Sequence, residues 1–127
     1  MSKSPIAGLY EVRIGTDNSV RIMLSMVEMG QGVMTAMPAL VAEDMDADWS
    51  KVKVEQSPVD PAYHHPIFKA QYVVASISTL GYWTPMRMAG AQARRVLVDA
   101  AATKWGVSAA ECVTEPSTVV HKPSGRM

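Results

Sequence analysis

The run Met29-Gly-Gln-Gly32 is where residue type and spacing first suggest chemistry. A glycine turn that feeds a helix leaves unpaired backbone amides at the positive end of the helix dipole, and such an end attracts anions. Gly30 and Gly32 let a large polar ligand approach the backbone. The Gln31 amide can both donate and accept. The same spacing also suits an ordinary strand-to-helix turn, since a lone Gly-x-Gly decides little. His64 and His65 adjoin, but no third residue stands at metal-ligand spacing, so two solvated loop histidines are expected. His121 is distant from both. Met23, Met26 and Met29 recur every three residues, and thioethers bind Cu(I). Period three does not align side chains on a strand, so gap filling is the expected role. Met34, Met37 and Met45 read as helix core or interface. Cys112 is the sole cysteine, cannot form an internal disulfide and is expected to be a small buried residue. Arg87, Arg94 and Arg95 read as a solvated helix face, and Trp49 and Trp105 as core anchors.

The elements that must position these residues follow from periodicity. Tyr10–Ile14 and Val20–Val27 alternate as strands around the turn Gly15–Ser19, and Ile22–Leu24 is apolar on both faces, as in a doubly buried strand. Val33, Met37, Leu40, Val41 and Met45 share one helical face, which predicts a helix from Val33–Thr35 to Asp46 with a kink at Pro38. Val52–Gln56 alternates as a strand. The proline-bearing segment Ser57–Ala75 reads as a long loop. Thr84-Pro85 fits an N-cap with proline at the first helical position, with Thr79 an earlier alternative start, and the helix runs to Trp105 with Gly106 as its C-cap. Ala89, Ala93, Val96, Leu97, Ala100, Ala101 and Lys104 share its mostly apolar side. Ser108–Glu111 matches a capping box. Val113–Glu115 and Thr118–His121 form a terminal hairpin turned by Pro116-Ser117. The order β-β-α-β-α-β-β predicts an α+β fold, a small mixed sheet packed with two main helices. Residues 1–127 make one domain, with 1–7 a loose lead-in and 122–127 a frayed tail.

Composition narrows the function. Twelve Lys+Arg balance twelve Asp+Glu, which argues against a dedicated nucleic-acid or anionic-membrane binder. Hydrophobic residues make up 48% and charged residues 19%, too apolar for a disordered chain. No apolar run approaches the roughly 18–20 residues of a membrane span. The first ten residues have no signal-peptide pattern, so a cytoplasmic location is expected.

A longer pattern surrounds the glycine turn. Glu28–Asp44, containing Met-Gly-Gln-Gly-Val-Met-Thr-Ala-Met-Pro, and Met45–Gln56 resemble the molybdenum hydroxylases, the xanthine dehydrogenase and aldehyde oxidase family. Within that family the chain is most similar to the large-subunit branch of isoquinoline 1-oxidoreductase and related bacterial aldehyde dehydrogenases. Ala75-Ser-Ile-Ser-Thr79 with Gly81–Pro85, then Ala91–Arg95 and Lys104–Cys112, continue the likeness, which covers Gly8 to Arg126. The resemblance implies a molybdopterin cofactor, usually in a dinucleotide form. It implies that Met29, Gly30, Gln31 and Gly32 touch the cofactor, and that Ala75, Ser76, Ile77 and Ser78 line its other side with amides and hydroxyls. Tyr82 and Trp83 flank this second loop. The chain departs from the family in carrying Gln71–Ala75 where relatives have glycines and a threonine.

The family's general base, a glutamate in a glycine-flanked motif, has no counterpart here, and Glu28 is not given that role. Cysteines for an iron–sulfur centre are absent too. No catalytic residue and no metal ligand is therefore assigned. The expectation is one cofactor-contacting domain or fragment of a molybdopterin-dependent large subunit, inactive alone. Its partners would be the rest of that subunit and an iron–sulfur subunit. A second expectation is a non-catalytic interaction domain that self-associates through the face those missing parts would cover.

Overall fold

The structure is a computed structural model that describes residues 11–65 and 67–127. The expected lead-in, residues 1–7, lies outside them. Seven main elements follow in the expected order: β1 (Val12–Ile14), β2 (Val20–Leu24), α1 (Val33–Met45), β3 (Val52–Gln56), α2 (Ile77–Trp105), β4 (Cys112–Glu115) and β5 (Thr118–His121). The fold is α+β. Short 3-10 turns stand at Trp49–Lys51, Pro61–Tyr63 and Ala109–Glu111.

β2 is the central strand of a three-stranded mixed sheet, antiparallel to β1 and parallel to β3. Apolar side chains on both faces suit that place, and Ile22, Met23 and Leu24 are all buried. The β1–β2 turn closes through Gly15 N donating to Ser19 O at 2.8 Å, with Asp17 Oδ1 accepting from Ser19 N and Oγ. Among the described residues the terminal hairpin does not join this sheet, contrary to the single sheet expected; β4 and β5 form a separate two-stranded sheet, with one further bridge from His121 to Arg126. Its turn docks instead on the α1–β3 connection. Ser117 N donates to Asp46 O at 2.8 Å, and Asp48 N donates to Ser117 Oγ at 2.9 Å. Residues 122–127, expected to fray, turn back on this hairpin: His121 N donates to Arg126 O and Lys122 N to Glu111 O. Ser108 Oγ accepts from Ala110 N rather than from Glu111 N, and Glu111 reaches His121, so the short turn is capped without the reciprocal box.

A proline stands inside each helix, and the one in α2 corrects the start expected for it. Pro38 is the sixth residue of α1, beyond the first turn, so the Met34 carbonyl loses its intrahelical donor. Pro85 lies inside α2 and not at its start, because the helix begins at Ile77. The Gly81 carbonyl is the one deprived there. The core gathers Val20, Ile22, Leu24, Met26, Val33, Met37, Val41, Met45, Tyr82, Met86 and Ala93. α1 buries the face expected. α2 buries Tyr82, Met86, Ala89, Gly90 and Ala93, while Val96, Ala100 and Lys104 face solvent. Ala89 and Ala93 of the expected stripe are thus buried and Leu97 and Ala101 half-buried, and only its Val96, Ala100 and Lys104 edge is exposed.

That approach depends on Gly90. A Cβ there would collide with the Val41 carbonyl oxygen and stand 3.1 Å from both Asp44 Cβ and Met45 N. Contacts advance in the same sense on both helices. Asp44 pairs with Arg87 and Asp46 with Arg94, and Met45 and Ala47 face Leu97 and Ala101 across a cleft of about 440 Å³. Both helices therefore start on the same side of their crossing. At 1.5 Å per residue, α2 begins about 20 Å and α1 about 15 Å upstream of it. No described helix is long and apolar enough to cross a membrane.

Candidate functional site

The first helix start is built by the loop between β2 and α1. Gly30 and Gly32 adopt φ of 96° and 81°, a conformation that favours glycine, and nothing lies within 4 Å of where a Cβ would stand on either. This matches the close approach expected for a ligand. The amides are another matter. Glu28 Oε1 accepts from Gly30 N at 2.7 Å and Gly32 N at 3.0 Å, while Oε2 accepts from Met34 N at 2.9 Å. Gln31 folds back on its own loop, its Oε1 accepting from Met29 N at 2.5 Å and its Nε2 donating to Val27 O at 2.8 Å. The chain's own carboxylate thus holds the amides that an anion would seek. Hydrogen bonds from Met34 N first, then Gly32 N, hold the Glu28 carboxyl below the usual glutamate range. The sequence reading left Glu28 without a role. The signal for one was an acid just ahead of a glycine turn that opens a helix.

The second helix start differs. Ala75 and Ser76 both have positive φ, 59° and 55°, and lead directly into α2 at Ile77. No side chain caps this end, and no acidic residue lies in its first turn. Ile77 N makes a long bond of 3.4 Å to Val74 O. Ser78 stands in that turn, half-buried, and Ala75 and Ser76 are exposed. Among the described residues no side chain engages the amides of this end, and with its serine hydroxyls it is chemically compatible with an acidic or strongly polar group. At the α1 end the open glycine backbone is compatible with a polar cofactor, while the amides are engaged by Glu28 and the Gln31 side chain by its own loop.

No hydrogen bond joins the two loops among the described residues. A groove of about 500 Å³, whose lining includes neither Met29–Gly32 nor Ala75–Ser78, is walled by Ser25, Val27, Gln56, Ser57, Val59, His64, Ala70, Gln71, Tyr72 and Val73. Its polar groups are hydroxyls, amides and an imidazole, with no carboxylate or Lys/Arg cation. Gln71 braces it, donating from Nε2 to Ser57 Oγ at 3.0 Å and Pro58 O at 3.2 Å.

Other candidates resolve into structure. His65 is fully buried rather than solvated. Met26 lies in the core and Met29 is exposed, so the period-three methionines do not gather. Among the described residues no group of three His, Cys, Asp or Glu could hold a metal ion. Arg87 is tied to Asp44 by two hydrogen bonds, 2.7 and 3.0 Å, and its guanidinium carbon sits 5.8 Å from the centre of the Trp83 ring. Trp49 is exposed and Cys112 only half-buried, so neither matches the buried role expected. Tyr82 is a core residue, and burial raises its hydroxyl above the usual tyrosine value.

Two helix starts of contrasting electrostatics mark a small α+β domain of two helices and a mixed three-stranded sheet. Comparison with known proteins gives that domain a family. The profile of the molybdopterin cofactor-binding domain matches residues 2–127. The chain is 44% identical over 117 residues to the isoquinoline 1-oxidoreductase subunit beta of Brevundimonas diminuta, covering 91% of this chain and 15% of that protein. It is 29% identical over 106 residues to a membrane-bound aldehyde dehydrogenase [pyrroloquinoline-quinone] of Gluconacetobacter polyoxogenes, covering 84% of this chain and 13% of that one. Quinoline 2-oxidoreductase from Pseudomonas putida 86 shares the fold at a TM-score of 0.66 and 20% identity, over 87% of this chain and 13% of that chain. The chain belongs to the molybdopterin cofactor-binding domain family. It spans about one seventh of the length of these relatives.

Proposed function

We propose that this chain supplies two walls of a molybdopterin site in an oxidoreductase large subunit, and that it acts only with the rest of that subunit and an iron–sulfur subunit. The family match across residues 2–127 carries this reading. In it, Gly30 and Gly32 allow close approach, Gln31 exchanges its bonds to Met29 N and Val27 O for bonds to the cofactor, and Ala75–Ser78 supply amides and hydroxyls to its acidic part. The dinucleotide form of the cofactor and a cytoplasmic setting belong to the same proposal. When bound, the molybdenum centre would supply hydroxylation of an aldehyde or an electron-poor ring carbon, with oxygen from water. This chain's own residues bind and orient, and none acts as general base. Glu28 is committed to three backbone amides, so it is not available to take a proton.

The test is anaerobic calorimetric titration of isolated molybdopterin into the purified chain, wild type against Gln31→Ala. Saturable binding weakened by the substitution is expected. Equal binding by the two would remove Gln31 from the site, and no binding by a folded wild type would mean that the loop needs its missing neighbours or has lost the function, with the second reading below then leading. The second reading, a self-associating interaction domain, rests on exposed apolar side chains beside the second loop: Ile67, Phe68, Val74 and Leu80, the last 81% exposed. Light scattering decides it, since a monomer at high concentration contradicts self-association.

A further inference from the structure

The buried imidazole of His65 has no part in the loop chemistry above, yet it is held from several sides. Its ring lies 5.1 Å from Phe68 and meets the edge of Tyr82 at 4.7 Å between centroids. Gly81 completes the enclosure; a Cβ there would collide with Nε2. Nδ1 accepts from Ile67 N at 3.2 Å and Phe68 N at 3.4 Å, which puts the proton of the neutral ring on Nε2. The backbone closes the same turn. His65 N donates to Ala70 O at 2.7 Å and Lys69 N to His65 O at 3.0 Å, with Lys69 at a φ of 54°. Nε2 has no acceptor among the described residues. A buried donor left unpaired is costly, so a hydrocarbon side chain would pack there more cheaply. What a hydrocarbon lacks is the acceptor at Nδ1.

The chain path shows what that acceptor controls. The turn ends at Ala70, and the short run Gln71–Val74 then leads to Ala75 and Ser76. Gln71 is pinned to Ser57 and Pro58, behind β3. Ile77 opens α2, whose second turn carries the Gly81 and Tyr82 that hold the ring. The segment with two successive positive φ angles is thereby fixed at both ends. Resting on the reading of Ala75–Ser78 as cofactor contacts, we propose that His65 is the positioning residue of the second loop. It anchors the 65–70 turn on the start of α2, and so sets the backbone that meets the cofactor.

The experiment compares wild type, His65→Leu and His65→Asn. Asparagine places Oδ1 near the position of Nδ1 and keeps the acceptor; leucine keeps only the bulk. Backbone amide chemical shifts of Ile67, Phe68 and Ser76–Ser78 and affinity for isolated molybdopterin are read together, with thermal unfolding as the fold control. The Ser76–Ser78 shifts move in His65→Leu and return toward wild type in His65→Asn. Loss of hydrogen bonds to one buried acceptor predicts affinity about tenfold weaker in the leucine variant. A folded leucine variant with unchanged shifts at Ser76–Ser78 overturns the proposal. Should leucine prevent folding, nitrogen NMR of the wild-type ring decides it, because a proton on Nδ1 is incompatible with accepting two amides. If wild type binds no molybdopterin while the shifts follow the leucine and asparagine pattern, the positioning role stands and the isolated chain's cofactor contact does not.

Discussion

Gly90→Ala tests the contact that sets the two helix starts relative to each other. Two effects oppose. On helix propensity alone, alanine stabilises a helix interior by about 1 kcal/mol over glycine. Against this, the new Cβ would meet the Val41 carbonyl oxygen and crowd Asp44 Cβ and Met45 N at 3.1 Å. Two of those three neighbours are backbone atoms of α1, so the clash cannot be relieved by a rotamer change. The helices must separate by several tenths of an ångström. A gap of about 0.5–1 Å already forfeits a quarter to a half of each dispersion contact it opens. Overpacking of this kind costs about 1–3 kcal/mol, and a rigid backbone acceptor puts Gly90 at the upper end. The expected net is about 2 kcal/mol of destabilisation, allowing for the propensity gain. For a chain of this size that lowers Tm by about 6–10 °C. Thermal unfolding by circular dichroism reads it, with Ala100→Gly on the exposed face of α2 as control. The control isolates propensity, and glycine there should cost about 1 kcal/mol. A Gly90→Ala protein as stable as wild type, or more so, would refute the close approach of α1 and α2.

Three further outcomes follow from the same coordinates. Met37→Ala, at a core position 1% exposed, should cost about 2–5 kcal/mol, whereas Met29→Ala, 66% exposed, should stay within about 0.5 kcal/mol; equal costs in denaturant unfolding would contradict the assigned core. The Glu28 carboxyl titrates below its unfolded value, so the stability it gives is full above the ordinary glutamate range and is lost as pH falls through the depressed folded value. Amide shifts of Gly30, Gly32 and Met34 should therefore move together with a midpoint under that range, and Glu28→Gln should abolish the transition; separate midpoints, or one above the range, would break the clamp. A methyl group at Gly81 would meet the His65 ring, so Gly81→Ala should displace it and broaden the amide signals of Ile67 and Phe68; unchanged signals would show that the ring does not rest there.

The parts of the fold that sequence periodicity reaches are those set by one element's own pattern. α1 buries Val33, Met37, Val41 and Met45, which recur at four-residue steps. β2 is buried on both faces, as Ile22-Met-Leu24 implies. Readings failed where a neighbour decided. Pro85 looks like a helix start, but the helix already exists eight residues earlier, and burial of Tyr82 and Met86 carries the chain through the proline. The terminal strands look like sheet members because nothing local shows that Asp46 and Asp48 will hold their turn. His65 looks polar and loop-bound. Its burial depends on Gly81 and Tyr82, too far along the chain for any local pattern to connect.

The candidate site shows the same division. Gly-Gln-Gly was legible because positive φ has a residue signature, and both glycines adopt it. Ala75 and Ser76 adopt positive φ without that signature, so only likeness to a family pointed to them. The electrostatic difference between the helix starts was not legible at all. A general argument from the helix dipole treats both ends alike. Glu28 breaks the equivalence, satisfying three amides of the first loop while the second start has neither cap nor acid. On the proposed reading, an acidic ligand group would go to Ser76–Ser78, and the α1 loop would meet a neutral, hydrogen-bonding part through its open glycine backbone. Replacing Glu28 with alanine should erase this asymmetry: the α1 start would gain anion affinity, seen as phosphate-induced shifts of Gly30 and Gly32 that wild type lacks. Shifts of equal size in both proteins would mean that the Glu28 clamp does not hold in solution and that the two ends compete for the same charge.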